Sequence, residues 1–335
     1  MGYRSFLPWL SVRFSFAYSL AAPIASAFAQ PLKTITMILS VCNRFATTNP
    51  SEVAHTLTQS TYNVNEMIRT CSANKSSLSS YVVPNILQIP CDANNAYPSC
   101  NVYEWANYAD DYITQMMHIP LSKYNTRIYI LPPESGCGFG GLGMIGPCGN
   151  QCRVWINGKI SNEVAVYFHE LGHNYGLNHA GYMGDQYGDF TDAMGYCCNI
   201  RCFSAPNTYR LKWSTPTFRQ DIPFTHAQSY TFSPNQYLII SDKTRQEYTF
   251  VQFRVPKFVK YDVNIVMSVY VYTMQFAANS QTSYVAGLSQ RGDEWSSITS
   301  SYSVQLISIS NKKAMIMIRP SNLVVDTFDR LQIPV

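Results

Sequence analysis

The chain has 335 residues, of which 46% are hydrophobic and only 13% charged, so it contains enough apolar material for a folded core. The formal net charge of +4 is spread along the sequence, and no dense basic block indicates nucleic acid binding. Beyond the N-terminal segment no apolar stretch is long enough to span a bilayer, so a transmembrane protein is not expected.

The first 29 residues have the features of a secretory signal peptide. Arg4 and Arg13 give the segment a positive charge, and a short apolar run follows at Phe14–Ala25. Ala27-Phe28-Ala29 then offers the small residues that signal peptidases require. We therefore expect residues 1–29 to be removed and the mature protein to be secreted.

In the first two-thirds of the chain, strand-like and helix-like patterns alternate. The predicted strands are Thr34–Val41, Tyr81–Ile89, Thr126–Leu131 and Arg153–Ile156, and the predicted helices are Ser51–Cys71, Tyr103–Met117 and Asn162–Tyr175. A glycine-rich segment that retains apolar residues, Gly138–Gly146, precedes the last of these strands. This order predicts an α/β or α+β domain over residues 33–215.

After about Pro216 the pattern changes, because cysteines are absent and helical periodicity largely stops. Short alternating runs separated by turn residues are found instead, at Tyr237–Ser241, Tyr248–Val255, Val263–Tyr272, Val304–Ile309 and Ala314–Ile318. Such runs are typical of an all-β, sandwich-like domain, which we predict over residues 216–335. The whole chain is thus expected to be of the α+β class.

The ten cysteines are even in number and lie in the first two-thirds of the chain. In an oxidising compartment such a set forms disulfides, whereas in a reducing one it would suggest metal binding. Paired C-x-x-C knuckles are absent, which favours disulfides. The ten cysteines are Cys42, Cys71, Cys91, Cys100, Cys137, Cys148, Cys152, Cys197, Cys198 and Cys202.

One eleven-residue segment carries the predicted chemistry. His169 and His173 are four residues apart, so on a helix they lie on one face and can bind the same ion. Gly176 allows the helix to end and the chain to turn, so that His179 can supply a third ligand. Three protein ligands leave a position open for water, as at catalytic zinc sites, and Glu170 is placed to act as general base.

An isolated histidine on a helix is usually a core or surface residue, and a bare H-E-x-x-H pattern arises by chance. Here half of the six histidines fall within one eleven-residue segment, with glutamate and glycine at the required positions. We therefore predict that the protein binds one catalytic Zn²⁺ ion.

The extended pattern is the signature of the metzincin zinc peptidases, which carry a methionine-containing turn after the third histidine. Asp192–Tyr196 matches this Met-turn, and in metzincins the methionine, here Met194, packs beneath the metal ligands without binding the ion. Tyr196 matches a position at which astacin-like and serralysin-like members carry a tyrosine that reaches zinc or the oxyanion. The alternative for Tyr196 is a buried tyrosine with a backbone partner.

The surrounding sequence resembles the gametolysins, the cell-wall and matrix metalloproteinases of volvocine green algae. The segments that carry this resemblance are Ile128–Pro133, Gly141–Gly143, Gly146–Cys148, Tyr187–Asp189, Met194–Cys198, Arg201–Pro206 and Leu211–Trp213. The resemblance is weaker in the β-rich part, at Phe250–Arg254. Two departures are that Lys212 stands where glycine is expected before the tryptophan, and that little room for a prodomain separates Gln30 from the first strand.

The resemblance implies a metzincin-like catalytic domain and a secreted endopeptidase whose polypeptide substrates are Pro- and hydroxyproline-rich glycoproteins of a cell wall or matrix. It also implies that Gly141, Leu142 and Gly143 form an edge strand on which an extended substrate binds, with glycines allowing close backbone approach. Two other hypotheses stay open: a matrix-binding or adhesion module with a catalytically weak metalloprotease fold, and a zinc hydrolase of non-peptide amides. The intact Glu170 argues against the adhesion module.

Overall fold

The computed structural model describes residues 31–92, 99–196 and 199–321, and the predicted signal peptide lies outside these ranges. The described helices are α1 (Pro50–Ala54), α2 (Val64–Cys71), α3 (Val102–Gln115), α4 (Val164–Asn174) and α5 (Ala205–Arg210). The strands of the first half are β1 (Leu32–Val41), β2 (Leu78–Ile89), β3 (Thr126–Leu131), β4 (Gly141–Gly143), β5 (Cys152–Asn157) and β6 (Ala180–Gly181). Those of the second half are β7 (Phe218–Asp221), β8 (Gln228–Phe232), β9 (Tyr237–Asp242), β10 (Glu247–Arg254), β11 (Ser268–Gln275), β12 (Thr282–Leu288), β13 (Glu294–Ser296), β14 (Tyr302–Ile309) and β15 (Ala314–Pro320).

The N-terminal half is built on a five-stranded sheet with the order β2-β1-β3-β5-β4. Four strands are parallel, and β4 runs antiparallel to β5 at one edge. Since successive side chains of a strand point to opposite faces, β1 sends Ile35, Met37 and Leu39 to a core shared with α3 and Ile38 to a core shared with α2 and α4. The sheet is thus covered by helices on both faces, which explains why its strands are almost continuously apolar.

The predicted helix Ser51–Cys71 is two helices. After α1 the chain passes through a π-helical turn and becomes extended at Ser60. The side chain of Asn63 then accepts a hydrogen bond of 2.7 Å from the backbone N–H of Glu66, which starts α2 as an N-cap. The apolar spacing continues across the break, so periodicity alone did not locate it.

The C-terminal half consists of two sheets, with the orders β6-β12-β11-β10-β9-β7 and β13-β14-β15-β8. Both contribute to one hydrophobic core, for example through Leu238 and Val251 from the first sheet and Val304 and Ile316 from the second. The chain as a whole is therefore a mixed α+β protein, as predicted. One edge strand of the six-stranded sheet, β6, comes from the first half of the chain and pairs in parallel with β12.

Two local features differ from expectation for identifiable reasons. The predicted strand Val263–Tyr272 begins only at Ser268, because the turns before it place the buried carboxylate of Asp262 against Arg254, 2.8 Å away. Lys212, which stands where glycine was expected, has a φ of 59°. Glycine adopts this left-handed conformation without strain, which accounts for the expectation.

Four disulfides link eight of the cysteines, as predicted: Cys42–Cys91, Cys71–Cys202, Cys100–Cys137 and Cys148–Cys152. Cys197 and Cys198 lie outside the described residues. The Cys71–Cys202 bridge ties α2 to the segment that follows the Met-turn. None of the described helices is long and apolar enough to cross a membrane.

Candidate metal centre

The helix α4 carries the first part of the predicted site, and every one of its residues is buried. It ends in a Schellman motif, in which the N–H of Gly176 donates to His173 O and the N–H of Leu177 donates to Gly172 O. Gly176 has a φ of 86°, the left-handed conformation that this motif needs. The chain therefore turns back at the end of α4 and brings His179 to the histidines of the helix.

His169, His173 and His179 come together as predicted, with one potential ligand nitrogen from each lying within 4.8 Å of the others. Their ring centroids are 5.0 Å apart for His169 and His173, 4.8 Å for His173 and His179, and 5.6 Å for His169 and His179. This is the one group of three or more potential metal ligands that the described ranges contain.

The hydrogen bonds of two rings decide which nitrogen is free to bind a metal. Nδ1 of His169 lies 2.8 Å from the carbonyl oxygen of Ala193, and Nδ1 of His173 lies 2.9 Å from that of Leu177. Since a carbonyl oxygen only accepts, each Nδ1 carries the proton and each Nε2 keeps its lone pair. Backbone carbonyls that orient ligand histidines in this way are typical of metal sites.

Burial keeps these histidines neutral. Together with neighbouring histidines of the triad, it lowers the pKa of His169 to about 4 and that of His173 to about 3. The pKa of His179 is also lowered, mainly by burial. Because a metal binds only the neutral imidazole, three such nitrogens within 4.8 Å of one another could together hold one metal ion.

The side chain of Glu170 extends from α4 toward the edge strand β4. A Cβ placed on Gly141 would lie 2.4 Å from Oε1 of Glu170, and one placed on Gly143 would lie 2.6 Å from the Glu170 carbonyl oxygen. The two glycines therefore face the helix, and they are needed for the close packing of the strand against Glu170. Burial raises the pKa of the Glu170 carboxyl to about 8, an effect that a cation held by the histidines would oppose.

The segment predicted to form the Met-turn packs against α4. Met194 is fully buried, and its Sδ would be 2.4 Å from a Cβ on Gly172, so the glycine in the middle of α4 lets the methionine approach the helix. Asp192 shapes the turn, since its carboxylate accepts hydrogen bonds from the backbone N–H groups of Met194 and Ser204 at 2.7 and 2.8 Å.

Two tyrosines differ in their relation to the site. Tyr196, chosen from the sequence, is 71% exposed, and its carbonyl oxygen accepts a hydrogen bond from Arg201. The ring centroid of Tyr187 lies 4.0 Å from that of His179, and burial, and then the charge of Glu170, raises the pKa of Tyr187. Tyr187 belongs to the resemblance segment Tyr187–Asp189, but neither spacing nor periodicity marked it as part of the site.

The family model described as "Gametolysin peptidase M11" matches residues 31–311. The chain belongs to this family. It is also similar to autolysin from Chlamydomonas reinhardtii, with 38% identity over 107 residues that make up 30% of this chain and 17% of autolysin. The resemblance to gametolysins is thereby confirmed.

Proposed function

We propose that this gametolysin-family protein is a zinc-dependent endopeptidase. The observation that carries the proposal is the triad of His169, His173 and His179, whose neutral side chains converge while Glu170 lies beside them. When bound, zinc would supply Lewis-acid polarisation of a substrate carbonyl and of the attacking water. His169, His173 and His179 would hold the ion, and because a catalytic zinc has three protein ligands, they would leave it free to contact water and substrate.

In this mechanism the chain's own groups hold the ligands and move the proton. Ala193 and Leu177 fix the rings of His169 and His173 through their carbonyl oxygens. The Glu170 carboxylate takes a proton from the attacking water and passes it to the amine that leaves. Glu170 is buried and packs against β4, which restricts the movement of its side chain.

The substrate is proposed to be an extended polypeptide that lies along the free edge of β4. This strand pairs with β5 on one side only, so its other edge offers backbone groups to a further strand. Hydroxyproline-rich glycoproteins of a cell wall are the proposed natural targets, as the resemblance to gametolysins implies. The same proposal includes secretion by means of a signal peptide at residues 1–29. It also includes a metzincin-like catalytic domain over residues 33–215 and a β-sandwich over residues 216–335.

Tyr187 and Tyr196 are the two candidates for stabilising the oxyanion. Tyr187 is in contact with a proposed ligand, whereas Tyr196 would have to move from its exposed position. Tyr187→Phe and Tyr196→Phe form a matched pair that removes one hydroxyl each. The variant that removes the oxyanion donor should lose roughly tenfold to a thousandfold in kcat with zinc retained.

The test of the proposed function compares wild type, Glu170→Gln and His173→Ala for zinc content and for cleavage of a peptide library. Glu170→Gln should keep one zinc per chain and lose most of its turnover, since it removes the base and no ligand. His173→Ala should lose both zinc and turnover. Cleavage by Glu170→Gln at the wild-type rate would refute the mechanism, and absence of cleavage by zinc-loaded wild type would favour a matrix-binding module.

A further inference from the structure

The segment that carries His179 is bonded to the C-terminal sheet. Directly after His179 the chain enters β6, in which Ala180 pairs with Thr282 and Gly181 with Ser283 of β12. The third histidine therefore stands at the end of a strand whose position is fixed by residues about 100 positions further along the chain. His169 and His173, by contrast, are fixed by α4 itself.

Side-chain contacts strengthen this connection on both sides of His179. Before it, the amide of Asn178 donates to the carbonyl oxygen of Asn279 at 3.3 Å. After it, Nε2 of Gln281 donates to the carbonyl oxygen of Gln186 at 3.0 Å. The segment that carries His179 is thus held on both sides by residues that directly precede β12.

The same half of the chain also holds the Met-turn. The guanidinium of Arg254, in β10, donates to the carbonyl oxygen of Thr191 and forms a buried ion pair with Asp262. The hydroxyls of Thr191 and Tyr272, the latter in β11, are 2.9 Å apart. Both the third histidine and the predicted Met-turn segment are consequently attached to the six-stranded sheet.

We propose that the six-stranded sheet of the C-terminal half positions His179, so that its contacts through Gln281 and β12 set the affinity of the histidine triad for its metal. The inference rests on the proposed function, because it assumes that the triad binds zinc. Its physical basis is that a ligand on a loosely held segment must be ordered when the metal binds, and this ordering costs binding free energy. A ligand already held by the sheet avoids that cost.

The first test changes one contact in the full-length chain. Gln281 is exposed, so Gln281→Ala should fold normally while releasing the carbonyl of Gln186. Loss of an outer contact of a metal site typically weakens metal affinity by about 10- to 100-fold, and we expect a loss in this range from competition with a chelating dye. Asp221→Ala is the matched control, since it removes an exposed ion pair with Lys243 at the opposite edge of the same sheet.

The second test uses the reciprocity of coupling, in which zinc must stabilise the sheet if the sheet stabilises the site. Hydrogen exchange of the metal-free chain is compared with that of the zinc-loaded chain. Zinc should slow exchange in residues 279–288 and leave β15 unchanged, since β15 belongs to the other sheet. Protection of β15 equal to that of residues 279–288, or unchanged zinc affinity in Gln281→Ala, would overturn the inference.

The measurements distinguish a failure of the proposed zinc peptidase function from a failure of the positioning of His179 by the sheet. If wild type binds no zinc, the proposed function and this inference both fall. If wild type binds zinc and cleaves peptides but Gln281→Ala has wild-type zinc affinity, the proposed function stands and only the positioning by the sheet is wrong. Thermal unfolding of the metal-free variant shows whether any loss of affinity reflects unfolding, which would likewise count against a positioning role.

Discussion

Replacement of Gly141 by alanine should displace the proposed general base. The new Cβ would lie 2.4 Å from Oε1 of Glu170, whereas ordinary van der Waals contact begins at 3.4 Å, so the carboxylate must move by 1.0 Å. A misplacement of about 1 Å in a catalytic group can cost roughly 100-fold in rate, equivalent to about 2.7 kcal/mol. We expect a fall of this order in kcat, with KM changed little because the methyl group points to the helix and not to the free strand edge.

The assay measures kcat and KM with a library-derived fluorogenic peptide, and zinc content by atomic absorption. Gly138→Ala is the matched control, because nothing lies within 4 Å of its Cβ position. A Gly141→Ala enzyme with normal kcat and raised KM would refute the packing argument and favour the sequence-based view that the glycine admits the substrate backbone.

Three further predictions follow from other contacts. Gly172→Ala should weaken zinc binding, because the new Cβ would lie 2.4 Å from Sδ of Met194. Such overpacking costs about 1–3 kcal/mol, which exceeds the helix propensity that alanine gains over glycine, and isothermal titration with zinc measures the result. Serine at Cys71 and Cys202 should lower the free energy of unfolding by about 5 kcal/mol on a chain-entropy basis, for a bridge of sequence separation 131, as measured by denaturant titration. Burial, and then the charge of Asp192, raises the pKa of Asp189 to about 7, so the folded state binds this proton more tightly than the unfolded state does. The resulting stabilisation is present below about pH 4 and is lost as the pH rises through 7. Asp189→Asn should therefore flatten the dependence of Tm on pH between these values.

The local elements around the site could be predicted because their signals are short-range. The four-residue spacing of His169 and His173 places both on one helix face in any folded context, and Gly176 marks the helix end by its conformational freedom. The buried strand β1 was evident from its continuous apolar run. The break at Ser60 was not, because capping by Asn63 competes with an apolar spacing that continues through it.

The sequence by itself thus determined which side chains are chemically able to hold a metal, that the chain is α+β, and that the cysteines within the described residues form disulfides. Only the tertiary structure decided what surrounds these groups: that Gly141 packs against Glu170, that Tyr187 rather than Tyr196 lies against the triad, and that His179 is attached to the C-terminal sheet through β6. The physical reason is the sequence distance over which each interaction acts. Helix spacing and turn conformation depend on neighbours within a few residues, whereas the pairing of β6 with β12 depends on residues about 100 positions away, whose register no local pattern encodes.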